Sequence, residues 1–221
     1  MHILYEDNHI IAVNKQVSEL VQCDKTGDIP LFDKVKKYIK EKYNKPGEVY
    51  LGMVHRLDRP VSGVLLFART SKALTRLNAM LKQHEIHKKY WALVYNRPPK
   101  EEDVLTHYLG RDERKNKAVV YTLAVPDTKK AILKYKVLKH RNNLFLLEVE
   151  LFTGRHHQIR SQLAHIGCPI QGDFKYGFPK GNNDKSIGLH AREISFMHPI
   201  RKERITITAP LPNSVVWKDM V

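Results

Sequence analysis

The sequence predicts an α/β protein of the α+β type, with a central, mostly antiparallel mixed sheet in two lobes flanked by about three helices. Two patterns support this prediction: short apolar runs of strand length separated by turn residues, and segments with apolar residues at helical spacing. At 221 residues and 42% hydrophobic content, the chain is long enough to bury a substantial core. We expect a single domain over residues 1–221, with any active-site cleft between the lobes.

The first elements are a hairpin and a helix. Ile3-Leu4-Tyr5 and Ile10-Ile11-Ala12-Val13 flank the turn-like segment Glu6-Asp7-Asn8-His9, which predicts a β-hairpin. Pro30 then begins a helical pattern that ends before Asn44-Lys45-Pro46-Gly47. Its apolar face comprises Leu31, Val35, Tyr38 and Ile39.

The middle of the chain alternates between strands and a helix. Val64-Leu65-Leu66-Phe67-Ala68 is typical of a short buried strand. Ser71 is predicted to cap a second helix, and Tyr90-Trp91-Ala92-Leu93-Val94-Tyr95 follows as a strand. The predicted buried residues of that helix are Leu74, Leu77, Met80 and Leu81.

Further strands are predicted at 118–124, 131–139 and 144–151, and the last ones at 189–196 and 205–208. Between these groups, a helix after Thr153-Gly154 carries Ile159, Leu163 and Ile166 on one face and ends at Gly167.

The formal net charge of +15 is the strongest compositional signal. Basic residues recur along the whole chain, as expected for a folded surface that binds a polyanion, and RNA or DNA fits better than an acidic membrane. No apolar run approaches the roughly 18 residues that span a bilayer, and the N-terminus lacks a secretory signal. We therefore expect a cytoplasmic protein without membrane association, with Cys23 and Cys168 as reduced thiols.

The first candidate site is the run Val54-His55-Arg56-Leu57-Asp58-Arg59-Pro60-Val61-Ser62-Gly63, which places an acid between two arginines on a turn before a strand. An arginine in contact would keep Asp58 ionised, as a nucleophile or a base. Considered alone, the pattern fits a solvated surface ion pair at least as well.

The second candidate is Thr153-Gly154-Arg155-His156-His157-Gln158-Ile159-Arg160 at the start of a helix. Here His157 and Arg160 are predicted to share a polar side, away from the buried Ile159. Backbone N–H groups and arginines at a helix N-terminus can bind a phosphate or the Asp58 carboxylate. The alternative is a basic, capped surface helix.

The third candidate is Lys88-Lys89-Tyr90-Trp91, where aromatic rings could stack on a base while the cations bind phosphates. Ordinary sheet core is the alternative. The His84-Glu85-Ile86-His87 spacing does not fit a zinc protease, and glycine-rich phosphate loops are absent from the sequence. We therefore expect no metal and no cofactor.

These residues, taken together, resemble the RluA-type family of RNA pseudouridine synthases over nearly the whole chain. His55-Arg56-Leu57-Asp58 with Ser62-Gly63 resembles the family motif HRLDxxTSG, and Lys89-Tyr90-Trp91-Ala92-Leu93-Val94 resembles its KxYxAxV strand. The helix motif GRxHQIR is matched at Gly154 to Arg160, and the following GxPIxGDxxYG at Gly167 to Gly177.

The resemblance implies a cofactor-independent isomerase that converts a uridine of rRNA or tRNA to pseudouridine after base flipping. It assigns Asp58 as the catalytic nucleophile or base, Tyr90 as the residue that stacks on the uracil, and Arg160 as the buried partner of Asp58. Arg56 would fill the gap left by the flipped base. The other residues that it implies in RNA or base binding are His55, Arg155, His157, Lys88 and Lys89.

The chain departs from the family pattern at Val61, at Gln16-Val17-Ser18 and at Ser161-Gln162. An N-terminal S4-like domain is expected to be absent, and the protein is expected to be a monomer without an obligatory protein partner. Two other functions stay open: an RNA-binding factor that keeps the fold but has lost turnover, and a glycoside or nucleoside hydrolase. The latter would need a second carboxylate that these motifs lack.

Overall fold

A computed structural model describes residues 1–23, 27–218 and 220 of the chain, which forms two compact units. Unit 1 comprises Met1–Ile86 and Ala191–Pro210, and unit 2 comprises His87–His190 and Leu211–Val221. The helices are α1 (Leu31–Lys42), α2 (Ser71–Lys82), α3 (Gln158–His165) and the short α4 (Val215–Lys218). The strands are β1 (His2–Glu6), β2 (Ile10–Lys15), β3 (Gly52–Met53), β4 (Ser62–Ala68), β5 (His87–Tyr95), β6 (Glu102–Asp112), β7 (Lys117–Tyr121), β8 (Lys129–Arg141), β9 (Leu144–Leu151), β10 (Leu189–Met197) and β11 (Arg204–Thr208).

Unit 1 is built on the strand order β1-β2-β4-β10, with β3 paired to β4 and β11 paired to β10. The predicted β1–β2 hairpin is confirmed, and β2 pairs antiparallel with β4. Every residue of β2 and β4 is buried, which explains why residues 10–13 and 64–68 are continuously apolar rather than alternating. They form the centre of the unit 1 core.

The two helices of unit 1 follow from their sequence patterns. In α1, the predicted apolar residues Leu31, Val35 and Ile39 are buried, and the helix begins directly after Pro30. In α2, the capping residue is Thr70, whose side-chain oxygen accepts a hydrogen bond from the Ala73 backbone N–H. The prediction that Ser71 caps this helix was therefore wrong by one residue.

Unit 2 contains the antiparallel strand order β5-β9-β8-β6-β7. The eleven-residue strand β6 was not predicted. Its buried face carries Leu105, His107 and Leu109, and the histidine interrupts the apolar alternation by which strands are recognised. The His107 Nδ1 lies 2.9 Å from the Gln162 Nε2, so the buried ring has a polar partner in α3.

The α+β class and the mostly antiparallel pairing agree with the prediction. Helix α3 packs against β6 and β7 within unit 2. Among the described residues, no helix is long and apolar enough to cross a membrane. The single-domain assignment and the cleft between lobes stay predictions.

Candidate active site

Asp58 lies on the loop between β3 and β4, and two apolar residues of this loop are buried. Leu57 and Val61 are buried, and the Val61 N–H donates to the Asp58 carbonyl at 3.0 Å, closing a turn. Asp58 itself is only partly buried. At Gly63, which follows this loop, φ is +116° and a Cβ would lie 2.2 Å from the Ala191 carbonyl oxygen. The glycine of the motif is thus required by its positive φ and by close backbone packing.

Lys15, the last residue of β2, binds the backbone of the Asp58 loop. Lys15 is completely buried, and its Nζ donates to the Val61 carbonyl at 2.6 Å and to the Arg59 carbonyl at 3.1 Å. Burial lowers the pKa of Lys15 to about 8, against the opposing effect of the negative charges on Glu19 and Asp58. The role of Lys15 was not predicted from the sequence, because a single lysine at a strand end normally extends into solvent.

The other charged residues of this loop have separate roles. Arg59 pairs with Asp28 at 2.6 Å, an exposed ion pair. The His55 Nε2 accepts a hydrogen bond from the Leu66 backbone N–H at 3.1 Å, so His55 supports β4. Arg56 is exposed. Its exposure is compatible with the implied role beside a flipped base, and the RNA-binding roles of His55 and Arg56 stay predictions.

In unit 2, Gln158 organises the loop that precedes α3. Its buried side chain accepts a hydrogen bond from the Arg155 backbone N–H at 3.0 Å and donates to the Ile132 carbonyl at 3.1 Å. His157 has a φ of 52°, in the left-handed region, so α3 begins only at Gln158. The prediction that His157 and Arg160 share one polar helix face was therefore wrong.

Arg160 is almost completely buried and forms a bidentate pair with Asp173. Its Nε donates to Oδ2 at 2.7 Å and its Nη2 donates to Oδ1 at 2.9 Å. Two parallel charge-assisted bonds fix the plane of the guanidinium. The implied pairing of Arg160 with Asp58 stays a prediction.

Tyr176 joins several of these groups within unit 2. Its ring lies 5.1 Å from the Arg160 guanidinium carbon and 5.8 Å from the Lys117 Nζ. Its hydroxyl oxygen lies 2.8 Å from the His157 Nδ1 and accepts a hydrogen bond from the Ala118 backbone N–H at 2.7 Å. Asp173 and Tyr176 lie in the family motif GxPIxGDxxYG, but neither was assigned a role from the sequence. That motif was the signal from which both could have been found.

Tyr90 is buried in β5, and the two lysines before it point to opposite faces. Lys88 shares the Tyr90 face and lies beside Gly154, where a Cβ would be 3.7 Å from its Nζ. Burial lowers the pKa of Lys88, and no carboxylate among the described residues pairs with it. On the other face, Lys89 forms an ion pair with Glu148 at 3.4 Å. The structure therefore separates two residues that the sequence grouped together.

The remaining predicted residue, Arg155, donates from its Nε to the Lys130 carbonyl at 3.0 Å. Across residues 1–23, 27–218 and 220, no group of three or more His, Cys, Asp or Glu side chains is arranged to hold a metal ion. Unit 1 thus offers an aspartate on a braced loop. Unit 2 offers an oriented arginine, a buried tyrosine and a partly buried lysine.

Comparison with known proteins places these residues in a family context. A family model described as RNA pseudouridylate synthase matches residues 9–165. Ribosomal large subunit pseudouridine synthase C of Buchnera aphidicola subsp. Baizongia pistaciae (strain Bp) is 37% identical over 220 residues, covering 95% of this chain and 66% of that protein. The protein of the same name from Rickettsia prowazekii (strain Madrid E) is 36% identical, covering 96% and 68%. The chain spans about two thirds of the length of these relatives.

Two solved human structures share the fold. RNA pseudouridylate synthase domain containing 4 has a TM-score of 0.80 at 23% identity, with coverage of 96% of this chain and 89% of that chain. RNA pseudouridylate synthase domain containing 1 has a TM-score of 0.75 at 24% identity, with coverage of 96% and 83%. These similarities confirm the α+β fold and its central mixed sheet.

Proposed function

The chain belongs to the RNA pseudouridylate synthase family, and we propose that it isomerises a specific uridine of RNA to pseudouridine through Asp58, without a cofactor. The observation that carries this proposal is the position of Asp58, on a loop braced by the buried Lys15 and inside the residues that match the family. Tyr90 and Arg160 lie inside the same matched residues.

In the proposed reaction, the bond between N1 of uracil and C1′ of ribose breaks, the uracil turns, and C5 forms a new bond to C1′. The proton on C5 leaves to solvent and N1 gains a proton, so the reaction consumes no other compound. Asp58 acts at the sugar, as nucleophile or as base. We propose Arg160 as the partner of the Asp58 carboxylate, as the family resemblance implies. Within unit 2, the Asp173 pair holds the Arg160 guanidinium in one orientation.

Tyr90 would stack on the flipped uracil and assist removal of the C5 proton. Arg56, exposed on the Asp58 loop, would occupy the space that the base leaves and offset part of the few kcal/mol of unstacking. We further propose that His55, Lys88, Lys89, Arg155 and His157 bind the RNA.

The substrate class that we propose is ribosomal or transfer RNA, and the names of the relatives favour rRNA of the large subunit. Such a substrate would place the protein in the cytoplasm. We propose that it acts as a monomer and needs no protein partner.

The test is release of tritium from RNA labelled at C5 of uridine, because isomerisation exchanges that position with solvent. The wild-type protein should release tritium, and Asp58→Asn should lower the rate by about a thousandfold or more. Asp33→Asn changes an exposed aspartate of α1 and is the matched control, which should keep the wild-type rate. A wild-type protein that binds RNA but releases no tritium would favour the RNA-binding factor over the enzyme.

A further inference from the structure

One end of unit 2 carries a group of eight cations, and of these Arg155 alone is among the residues proposed above to bind the RNA. We name it the cationic hairpin surface. Its members lie at the β6–β7 turn and on the segments that flank it: Arg111, Arg114, Lys115, Lys117, Lys129, Lys130, Arg155 and Lys175.

Backbone pairing and hydrogen bonds bring these residues together. The β6–β7 register places Asp112 opposite Lys117 at the base of the turn, and the β6–β8 register places Leu109 opposite Lys129. Arg155 donates to the Lys130 carbonyl, and the Lys175 Nζ donates to the Asn116 carbonyl at 3.1 Å. Six of the cations therefore lie on β6, β7, β8 or the β6–β7 turn, and Arg155 and Lys175 lie on segments that are hydrogen-bonded to β8 and to the turn.

Acidic partners are scarce on this surface. In the part of the chain that the structure describes, no carboxylate lies within 4.0 Å of the side-chain nitrogens of Arg111, Arg114, Lys115, Lys117, Lys129, Lys130 or Arg155. The nearby Asp112 carboxylate instead accepts a hydrogen bond from the Lys115 backbone N–H. Clustered like charges repel one another and are expected where a polyanion binds.

The opposite end of the same sheet is different, because its cations are paired with acids. Arg97 pairs with Glu101 at 2.9 Å, Lys100 with Asp103 at 3.2 Å, and Lys134 with Glu102. Unit 2 thus segregates its positive charge. The cationic hairpin surface is also continuous with the candidate site, since the Tyr176 ring has Lys117 and Arg160 as neighbours.

We propose that the cationic hairpin surface binds backbone phosphates of the RNA next to the target nucleotide. The inference deepens the proposed function and rests on it for the identity of the polyanion as RNA. Exposed arginines and lysines around a turn contact phosphates without reading bases, so this surface contributes affinity and position rather than sequence preference.

The test compares two triple variants with the same loss of charge. R111Q/R114Q/K115Q removes three cations of the hairpin surface, and R97Q/K100Q/K134Q removes three paired cations from the other end of the sheet. The probe is a fluorescently labelled transcript of large-subunit rRNA, titrated at several salt concentrations. The hairpin variant should bind about tenfold or more weakly near 0.1 M salt, with the salt slope reduced by about 2 to 3. The control should stay within about threefold of wild type.

A charge-preserving variant, R111K/R114K/K115R, should keep wild-type affinity, which excludes misfolding as the cause of a loss. Equal weakening in both triple variants, or none in the hairpin variant, would overturn the proposal. It would also be overturned if the hairpin variant lost binding to phosphatidylserine vesicles but kept binding to RNA.

Tritium release separates the two proposals. Hairpin-dependent RNA binding without tritium release would refute the enzyme and leave this surface intact. Tritium release without a hairpin effect on binding would refute the surface alone.

Discussion

In each unit, a buried charged residue supports a candidate site residue, and the two supporting charges have opposite signs. In unit 1, the acid Asp58 lies on a loop held by the buried cation Lys15, which donates to neutral backbone carbonyls. In unit 2, the cation Arg160 is held by the buried acid Asp173 through two charge-assisted bonds.

The difference lies in how each buried charge is compensated. Asp173 and Arg160 form a buried pair of opposite charges, so removal of either partner breaks two charge-assisted bonds. Among the described residues, the direct hydrogen-bond partners of Lys15 are backbone carbonyls, and burial lowers its pKa to about 8. We infer that the support in unit 2 contributes more to stability, whereas the support in unit 1 can lose its charge within an accessible pH range.

The largest effect should follow from Asp173→Asn. The neutral amide removes the negative charge of Asp173 from this buried pair, so the free energy of unfolding should fall by about 3 to 5 kcal/mol. Urea unfolding measures this change. The control Asp103→Asn breaks the exposed pair with Lys100 in the same unit, and should cost less than about 1 kcal/mol. Equal losses in the two variants would contradict the distinction between buried and exposed pairs.

The next effect concerns Lys15→Met, which keeps a long side chain but removes the donors to the Val61 and Arg59 carbonyls. Unsatisfied buried carbonyls should lower the free energy of unfolding by about 1 to 3 kcal/mol. Because Asp58 would shift, kcat should fall about tenfold or more while KM changes little. Lys37→Met, at an exposed position of α1, is the control. An unchanged kcat would show that Lys15 does not position the loop.

A smaller effect should distinguish Lys88 from Lys89. Lys88 shares the Tyr90 face and has no carboxylate partner among the described residues, whereas Lys89 pairs with Glu148. Lys88→Gln should therefore lower kcat/KM for RNA about tenfold, and Lys89→Gln only about threefold, because Glu148 already offsets the charge of Lys89. Equal losses of kcat/KM from the two substitutions would contradict the predicted difference between the two lysines.

A last effect is a pH dependence of stability in unit 1. The pKa of Lys15 is about 8 in the folded protein and 10.5 as the ordinary value, so the unfolded chain holds more protons between these limits. Stability of the wild type relative to Lys15→Met should therefore rise as the pH increases from about 8 to about 10.5. Denaturation at several pH values measures this difference. A flat or falling difference would rule out a buried, titrating Lys15.

Much of the fold was predictable because its elements follow local patterns. The β1–β2 hairpin, α1 and β5 were placed from apolar periodicity and turn residues alone. Strand β6 was missed, because its buried face carries His107, whose partners Gln162 and His165 are 55 or more positions away. Local periodicity cannot report a partner at that separation.

The candidate site shows the same limit. Asp58, Tyr90 and Arg160 were proposed from motifs, but Arg160 was placed on a polar helix face and is instead buried against Asp173. Lys15 was missed because its partners, the carbonyls of Arg59 and Val61, leave no trace in residue type. Hydrogen bonds from a side chain to backbone atoms can be identified from the structure but not from the sequence.

The central claim is that Asp58 forms pseudouridine in cellular RNA, and pseudouridine mapping tests it most directly. RNA would be compared from cells without the gene, and from the same cells supplied with the wild-type or the Asp58→Asn protein. We expect at least one pseudouridine to be missing without the gene, restored by the wild type and not restored by Asp58→Asn. Identical pseudouridine maps in all three cell lines would contradict the account.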